Sequence, residues 1–415
     1  MANRYWVGGT GDWSEQNHWS DTSGGIVGVI LTLEINNGGS GYVESDILDI
    51  SGGGDGNANF EVLSVDGNGA ITSISLLAGG KYYPVSNDIL CSGGTGAGAT
   101  VNILTTTEGP GVPTSSDDVF IDNNSAPSGP TWWSIASWAD GYCKNFNDIC
   151  DNSNFQFDSN AITYVYGSLL LGANHIYTNT PAHFTLMSDS NETITSNGCT
   201  ISELALYGTG SVSLNDDIVT LSYIDVSNGT FYTNDKAVTC ATFSPSISAT
   251  LYMGNSIFNV LNFNINGATA IYPGGSLIQV RDTVNADVQG SDNTNNCPLN
   301  NIEFLGQTCG VGGVLIFNNL KVPPGSTVTT NAANLQFNSL SCSGTAGNIV
   351  TINGNEGYMY CYSGVISLDY VDISDCNAGG GARFYAGTHS VDGTGNTGWI
   401  FTAPPKTPLP AFYRY

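Results

Sequence analysis

VSLNDDIVTLSYIDVSNGTFYTNDKAVTCATFS, residues Val212 to Ser244, decides how the rest of the chain is read. It holds three short runs, Val212–Leu214, Ile218–Val226 and Thr230–Thr233, in which apolar and polar residues alternate. Alternation puts one set of side chains on a buried face, and the Asn-Asp, Asn-Gly and Asn-Asp pairs between the runs supply turn conformations. Helical periodicity is absent, and the β-branched and aromatic residues favour strands. Similar text recurs at Thr193–Leu206 and Val350–Ser367. Short strands, small-residue corners and an imperfect repeat of about 20–30 residues predict stacked coils. The expected fold is all-β, a parallel β-helix (solenoid).

The totals agree with that reading. Of 415 residues, 53 are Gly and only 11% are charged, with Asn, Ser and Thr filling the polar positions. Such side chains suit stacked rungs, where they hydrogen-bond along the stack. Lys plus Arg number 9 against 35 Asp plus Glu, a formal charge of −26. That surface repels phosphate backbones and anionic membranes, so nucleic-acid binding is not expected. The bland reading of the acidity is solubility. The ten cysteines form no CxxC pair and the four histidines are scattered, so no metal site or other cofactor is expected. Cys143/Cys150 and Cys297/Cys309 are spaced for local disulfides, but small apolar residues stacked inside the coils are the favoured reading. The start, MANRYWVGGTGDW, has no basic segment followed by an apolar run, and no stretch is long enough for membrane insertion.

Along the chain, residues 1–25 read as an N-terminal cap, with Tyr5, Trp6, Trp13 and Trp19 covering the open end of a solenoid. A sugar-stacking platform is the less favoured use of those rings. Residues 26–107 read as a small inserted all-β module with an internal duplication. Gly38 onward (GGSGYVESDILDISGGG) is echoed from Gly79 (GGKYYPVSNDILCSGGTG), matching Tyr42 to Tyr83 and Asp46-Ile47-Leu48 to Asp88-Ile89-Leu90. Val65–Ile71 reads as a hairpin turn between the copies, and Gly52-Gly-Gly-Asp55-Gly as a plain loop rather than a calcium turn. GPGVPTSSDDVFIDNNS, from Gly109, resumes the cap broken off at Gly25. The β-helix is expected over 108–402 and a Pro-rich C-terminal arm over 403–415. Trp132, Trp133, Trp138 and Tyr142 form a tight group. They either pack the first coil, the safer reading, or make an exposed glycan-binding patch.

Three segments resemble virion proteins of tailed bacteriophages, of the tail-fibre and tailspike-like β-helix type. They are YWVGGTGDWSEQNHWSDTSGG with GVPTSSDDVFIDNNS, the GGSGY…DIL…SGG module, and GTAGNIVTINGNEG with SLDYVDISDCNAGGGARFYAGTHSVDGTGNTGWIFTAPP. The middle of the chain is similar in texture only. The resemblance implies a structural or adhesive virion subunit, often a homotrimer, assembled with other virion proteins and touching a host surface glycan. Its localisation would be the virion, after synthesis in the host cytoplasm without a signal peptide. It carries over no catalytic residue.

Glycoside hydrolysis needs two carboxylates about 5–10 Å apart. The candidates are Asp117/Asp118, Asp216/Asp217 and the trio Asp369, Asp372 and Asp375. Strand neighbours point to opposite faces, which makes the adjacent pairs poor. Asp369 and Asp375 share a face by parity but stand well apart along it. Asp372 and Asp375 are expected to bond backbone amides at a corner. No nucleophile elbow, HExxH or P-loop occurs. The expected function is therefore a non-enzymatic fibre, spike or decoration subunit. The alternatives are a polysaccharide-degrading tailspike and a bacterial surface adhesin.

Overall fold

The computed structural model describes residues 2–126, 132–151, 154–159, 161–177, 183–265, 270–281, 286–290, 297–331 and 333–405. From residue 406 on, the expected C-terminal arm lies outside them. The chain is nearly all β, with 56% of residues in strands and no α-helix among the described residues, and its parallel strands stack as a β-solenoid. Among the described residues, no helix is long and apolar enough to cross a membrane. The chain divides into two compact units, Met1–Met187 with Thr193–Ser202, and Ser188–Glu192 with Glu203–Tyr415.

In the second unit the coil repeat can be followed residue by residue. Leu204 pairs with Ile224, Ile224 with Phe243, Phe243 with Phe263, Phe263 with Val288 and Val288 with Val311, all in parallel register. Each coil is thus one turn of 19 to 25 residues, and each inward apolar residue sits on the one a coil before it. A second inward column runs Val212, Phe231, Leu251 and Ile271. All of these side chains are buried. On the outer face the same register aligns polar side chains. Ser339 Oγ donates to Asn319 Oδ1 at 2.9 Å, Thr209 Oγ1 to Asp189 Oδ1 at 2.8 Å, and Ser211 Oγ to Asn191 Oδ1 at 2.6 Å. This is why the composition carries Asn, Ser and Thr in place of charges.

The deciding stretch departs from its expected outline at two points. Ile218–Val226 is not one strand, for the chain turns a corner at Leu221-Ser222 between strands Ile218–Thr220 and Tyr223–Tyr232. Asn228-Gly229 does not separate two strands either. It lies within Tyr223–Tyr232, where the register shifts between Val226 and Asn228. Gly229 has φ +67°, and a Cβ there would run into the carbonyl oxygens of Gly210 and Gly208. A solenoid corner bends by one left-handed residue without reversing the chain, so an Asn-Gly pair marks a bulge here and not a hairpin.

The first unit holds the cap, the module and the first coils. Asn3–Trp6 pairs antiparallel with Trp19–Ser20 and parallel with Asp118–Ile121. Ser125 Oγ donates to the Trp6 carbonyl at 2.6 Å, so residues on either side of the module build one layer. Trp6 stacks on His18 and meets Trp19 edge-on, and Trp19 meets Trp13. The Trp6 indole N–H donates to the Gly9 carbonyl and that of Trp19 to the Trp13 carbonyl, which satisfies both buried donors.

Residues 30–106 form an antiparallel sheet in the order Ile30–Ser40, Ala97–Thr106, Ser86–Gly93, Ile47–Ile50, Ala58–Val65, Ile71–Gly79. The two halves are related by a constant offset of 41 residues. Tyr42 Oη accepts from the Ala99 N–H and Tyr83 Oη from the Ala58 N–H, both at 3.4 Å. Ile50 pairs directly with its own counterpart Cys91. The outer strands also meet, since a Cβ on Gly38 would lie 2.6 Å from the Ile71 carbonyl and one on Gly79 2.5 Å from that of Ile30. The textual match of Asp46-Ile47-Leu48 to Asp88-Ile89-Leu90 is off by one residue. Leu48 is buried but Leu90 is exposed, so burial equates Leu48 with Ile89. Val65–Ile71 is a turn held by Asp66, whose carboxylate accepts from Asn68 and Ala70 N–H. Asp55, in the glycine-rich loop, accepts from Asn57 and Lys81 N–H.

Nine cysteines are free and buried, Cys143, Cys150 and Cys309 among them, so the Cys143/Cys150 disulfide is not formed. The Cys297 side chain lies outside the described residues. Burial pushes the Cys91 and Cys376 thiols up to about 11, and those of Cys240, Cys309 and Cys342 to about 12. The thiolate is the nucleophile, so these positions should resist alkylation in the folded protein. Iodoacetamide labelling read by peptide mass spectrometry is expected to modify them only in denaturant. Rapid native labelling of Cys240 or Cys342 would contradict the packing.

Candidate functional site

The aromatic group is divided by strand parity. Trp133–Ser137 runs parallel to Phe155–Ser159 and to Gly11–Asp12, with Trp133 and Ile135 facing inward. Trp133 is 2% exposed and packs on Phe155 at a ring distance of 4.5 Å. It is core, and the glycan-facing alternative does not hold for it. Trp132 and Trp138 point outward, 60% and 75% exposed. Tyr142, on Gly141–Cys143, is 40% exposed and stacks on Tyr164 of the next coil at 5.2 Å. Three of the four residues therefore offer ring surface to solvent, and uncharged rings of this kind suit the apolar faces of sugars.

Four of the candidate carboxylates, Asp117, Asp118, Asp217 and Asp369, are each held by neighbouring donors. Asp117 is buried, accepts from the Thr114 N–H and hydroxyl, and lies 3.9 Å from Arg4. Asp118 accepts from Asn145 Nδ2. Asp217 accepts from the Ala237 N–H one coil on. Asp369 takes the N–H groups of Tyr370 and His389 and the His389 ring at 2.8 Å. The amide-bonding role expected of Asp372 and Asp375 thus belongs to Asp369. Asp375 instead sits with φ +48° where the strand Val371–Gly379 shifts register. Among the described residues, no group of three or more His, Cys, Asp or Glu is placed to hold a metal.

One cluster was missed in the sequence. Asp148 is fully buried in the first unit, and its Oδ2 accepts from His175 Nδ1 at 2.6 Å and from Tyr177 Oη. Its Oδ1 accepts from the Cys150 N–H at 3.2 Å, and Tyr177 Oη accepts from the Gly172 N–H at 3.1 Å. Burial, then Asp148, holds the Tyr177 phenol well above its ordinary value. His175 Nε2 is buried without a partner. The signal was parity, since in NFNDI Asp148 shares the inward face with Phe146. A buried carboxyl group with three donors around it is a structural knot.

A surface groove of about 280 Å³ in the second unit is lined by Val314, Ile316, Asn334, Gln336, Tyr360 and Tyr362 among others. Tyr362 Oη donates to Gln336 Oε1 at 3.3 Å, and the lining holds no carboxylate or cation. Lys321 Nζ meets Glu303 Oε1 at 2.5 Å, and that bond, then one from Gln279, lowers the Glu303 pKa from 4.5 against the opposing effect of burial. A depressed carboxylate stabilises the fold above its unfolded value and loses that contribution as pH falls through the folded one. Lys321→Gln should thus lower the thermal midpoint at neutral pH, with the gap closing below pH 4.5. A gap independent of pH would assign the effect to packing.

No family model, curated protein or solved structure matches this chain.

Proposed function

We propose that the protein is a structural component of a tailed-phage virion, a β-helical fibre, spike or decoration subunit displayed on the particle and taking part in attachment to the host surface. The observation that carries this reading is the coil-on-coil register of the second unit, in which inward apolar columns and outward Asn, Ser and Thr ladders repeat turn after turn. Such a stack is rigid along its axis and needs little charge, which suits a displayed rod. The resemblance of both ends and the module to virion β-helix proteins supports the same assignment. Other virion proteins and further copies of the chain, as a trimer, are the proposed partners. Trp132, Trp138 and Tyr142 are the proposed contacts to a host glycan, without Trp133.

The reading makes the protein non-catalytic, and it is supported by Asp117, Asp118, Asp217 and Asp369 each being occupied by neighbouring donors. Purified protein incubated with host envelope polysaccharide should leave the chain-length distribution of the glycan unchanged, and light scattering should return the mass of a trimer. Glycan shortening that disappears in Asp369→Asn would favour the polysaccharide-degrading alternative.

A further inference from the structure

Tyr232, Tyr252 and Tyr272 occupy one outward column on three successive coils of the second unit, paired in parallel register. Their rings are stacked with centroids 4.7 Å and 4.3 Å apart and planes within 11° and 5°. Tyr272 is 51% exposed, so the column is open to small oxidants. The backbone ladder keeps these phenols in place. Parallel strands sit about 4.7–4.9 Å apart, so register alone keeps each ring against the next. Between the same coils, Cys240 is buried and free and offers no disulfide.

We propose that this tyrosine column is a site of oxidative dityrosine cross-linking, which covalently joins adjacent coils of one chain. Each of two neighbouring phenols gives up one electron and its O–H proton. The radicals join through their ortho carbons, and the two ortho hydrogens shift to the oxygens to restore both phenols. The two electrons and two protons reduce one hydrogen peroxide to two waters, with a haem peroxidase as the one-electron carrier. Burial and the neighbouring Tyr272 and Tyr232 phenols raise the Tyr252 pKa above 10.0, so the neutral phenol is the species oxidised at neutral pH. Tyr142 and Tyr164, at 5.2 Å and 11°, repeat the arrangement in the first unit. Tyr358 and Tyr360 lie 5.8 Å apart on one strand and cannot join coils.

The test uses the full chain at low concentration with horseradish peroxidase and hydrogen peroxide, followed by dityrosine fluorescence, denaturing electrophoresis and mass spectrometry of proteolytic peptides. The expected product migrates as a single chain and contains peptide pairs, lighter by two hydrogens, that join Tyr252 to Tyr232 or Tyr272. Tyr252→Phe should lose both of those cross-links and keep the one between Tyr142 and Tyr164. Tyr252→Phe preserves the ring and its stacking, so its circular dichroism should match the parent. Cross-links found only between chains, or column tyrosines oxidised without any Tyr252 cross-link, would overturn the proposal.

Discussion

Asp148→Ala is expected to cost about 3–5 kcal/mol of folding stability, through the loss of one acceptor shared by three buried donors. The carboxylate is the acceptor for His175, Tyr177 and the Cys150 N–H, all buried. Its removal leaves three buried donors unsatisfied, and each unsatisfied group costs about 1–3 kcal/mol. Phe155 packs edge-on against His175 at 5.1 Å and against Trp133, so the loss reaches the core of the first unit. Asp148→Asn keeps one acceptor oxygen and should lie between parent and alanine variant. Urea unfolding followed by tryptophan fluorescence measures it, and a midpoint unchanged in Asp148→Ala would refute the knot.

Phe243→Ala should have a comparable effect in the second unit, about 3–5 kcal/mol. The ring contacts Phe263 at 5.2 Å in the next coil, Phe231 at 6.4 Å and Phe258 at 5.0 Å. Truncation leaves a hole in the inward column that neighbouring coils, held by their own ladders, cannot collapse to fill. Phe243→Leu, which keeps most of the volume, should cost much less. Coils in a solenoid contact chiefly their neighbours, so the damage should be local. Hydrogen exchange should rise over Tyr223–Tyr232, Thr242–Tyr252 and Asn262–Asn264, and stay at parent level over Val371–Gly379. A uniform rise over both regions would contradict neighbour-to-neighbour stacking.

The solenoid was legible because its information is local. Alternation in Val212–Leu214 and Ile224–Val226 sets the inward face, and Asn and Gly mark the corners whatever the partner strand. Corners proved harder than strands. Asn228-Gly229 is compatible with a hairpin or a bulge, and only the coil before it, through Gly208 and Gly210, decides between them. The duplicated module misled by one residue at Leu48 and Leu90, since letter identity competes with the two-residue parity that burial obeys. Trp133 shows the same limit, being read beside Trp132 as one group although strand parity sends them to opposite faces. The Asp148 knot joins residues about one coil apart, and sequence spacing does not show that His175 and Tyr177 return to the same point. Asp372 and Asp375 read as the amide-bonding acids of the corner, whereas the N–H groups of Tyr370 and His389 go to Asp369, and spacing along the chain does not show that His389 returns to it one coil on.

The place proposed for this chain is a tailed-phage particle. Antibody raised against the purified protein, carried on gold and imaged by electron microscopy, tests it on density-purified particles from an induced culture that carries the gene. Label is expected at a fixed site on the particle, with the chain's peptides recovered from the same fraction. Particles free of label and peptides, with the antigen instead on the surface of uninduced cells, would contradict it and favour a bacterial adhesin.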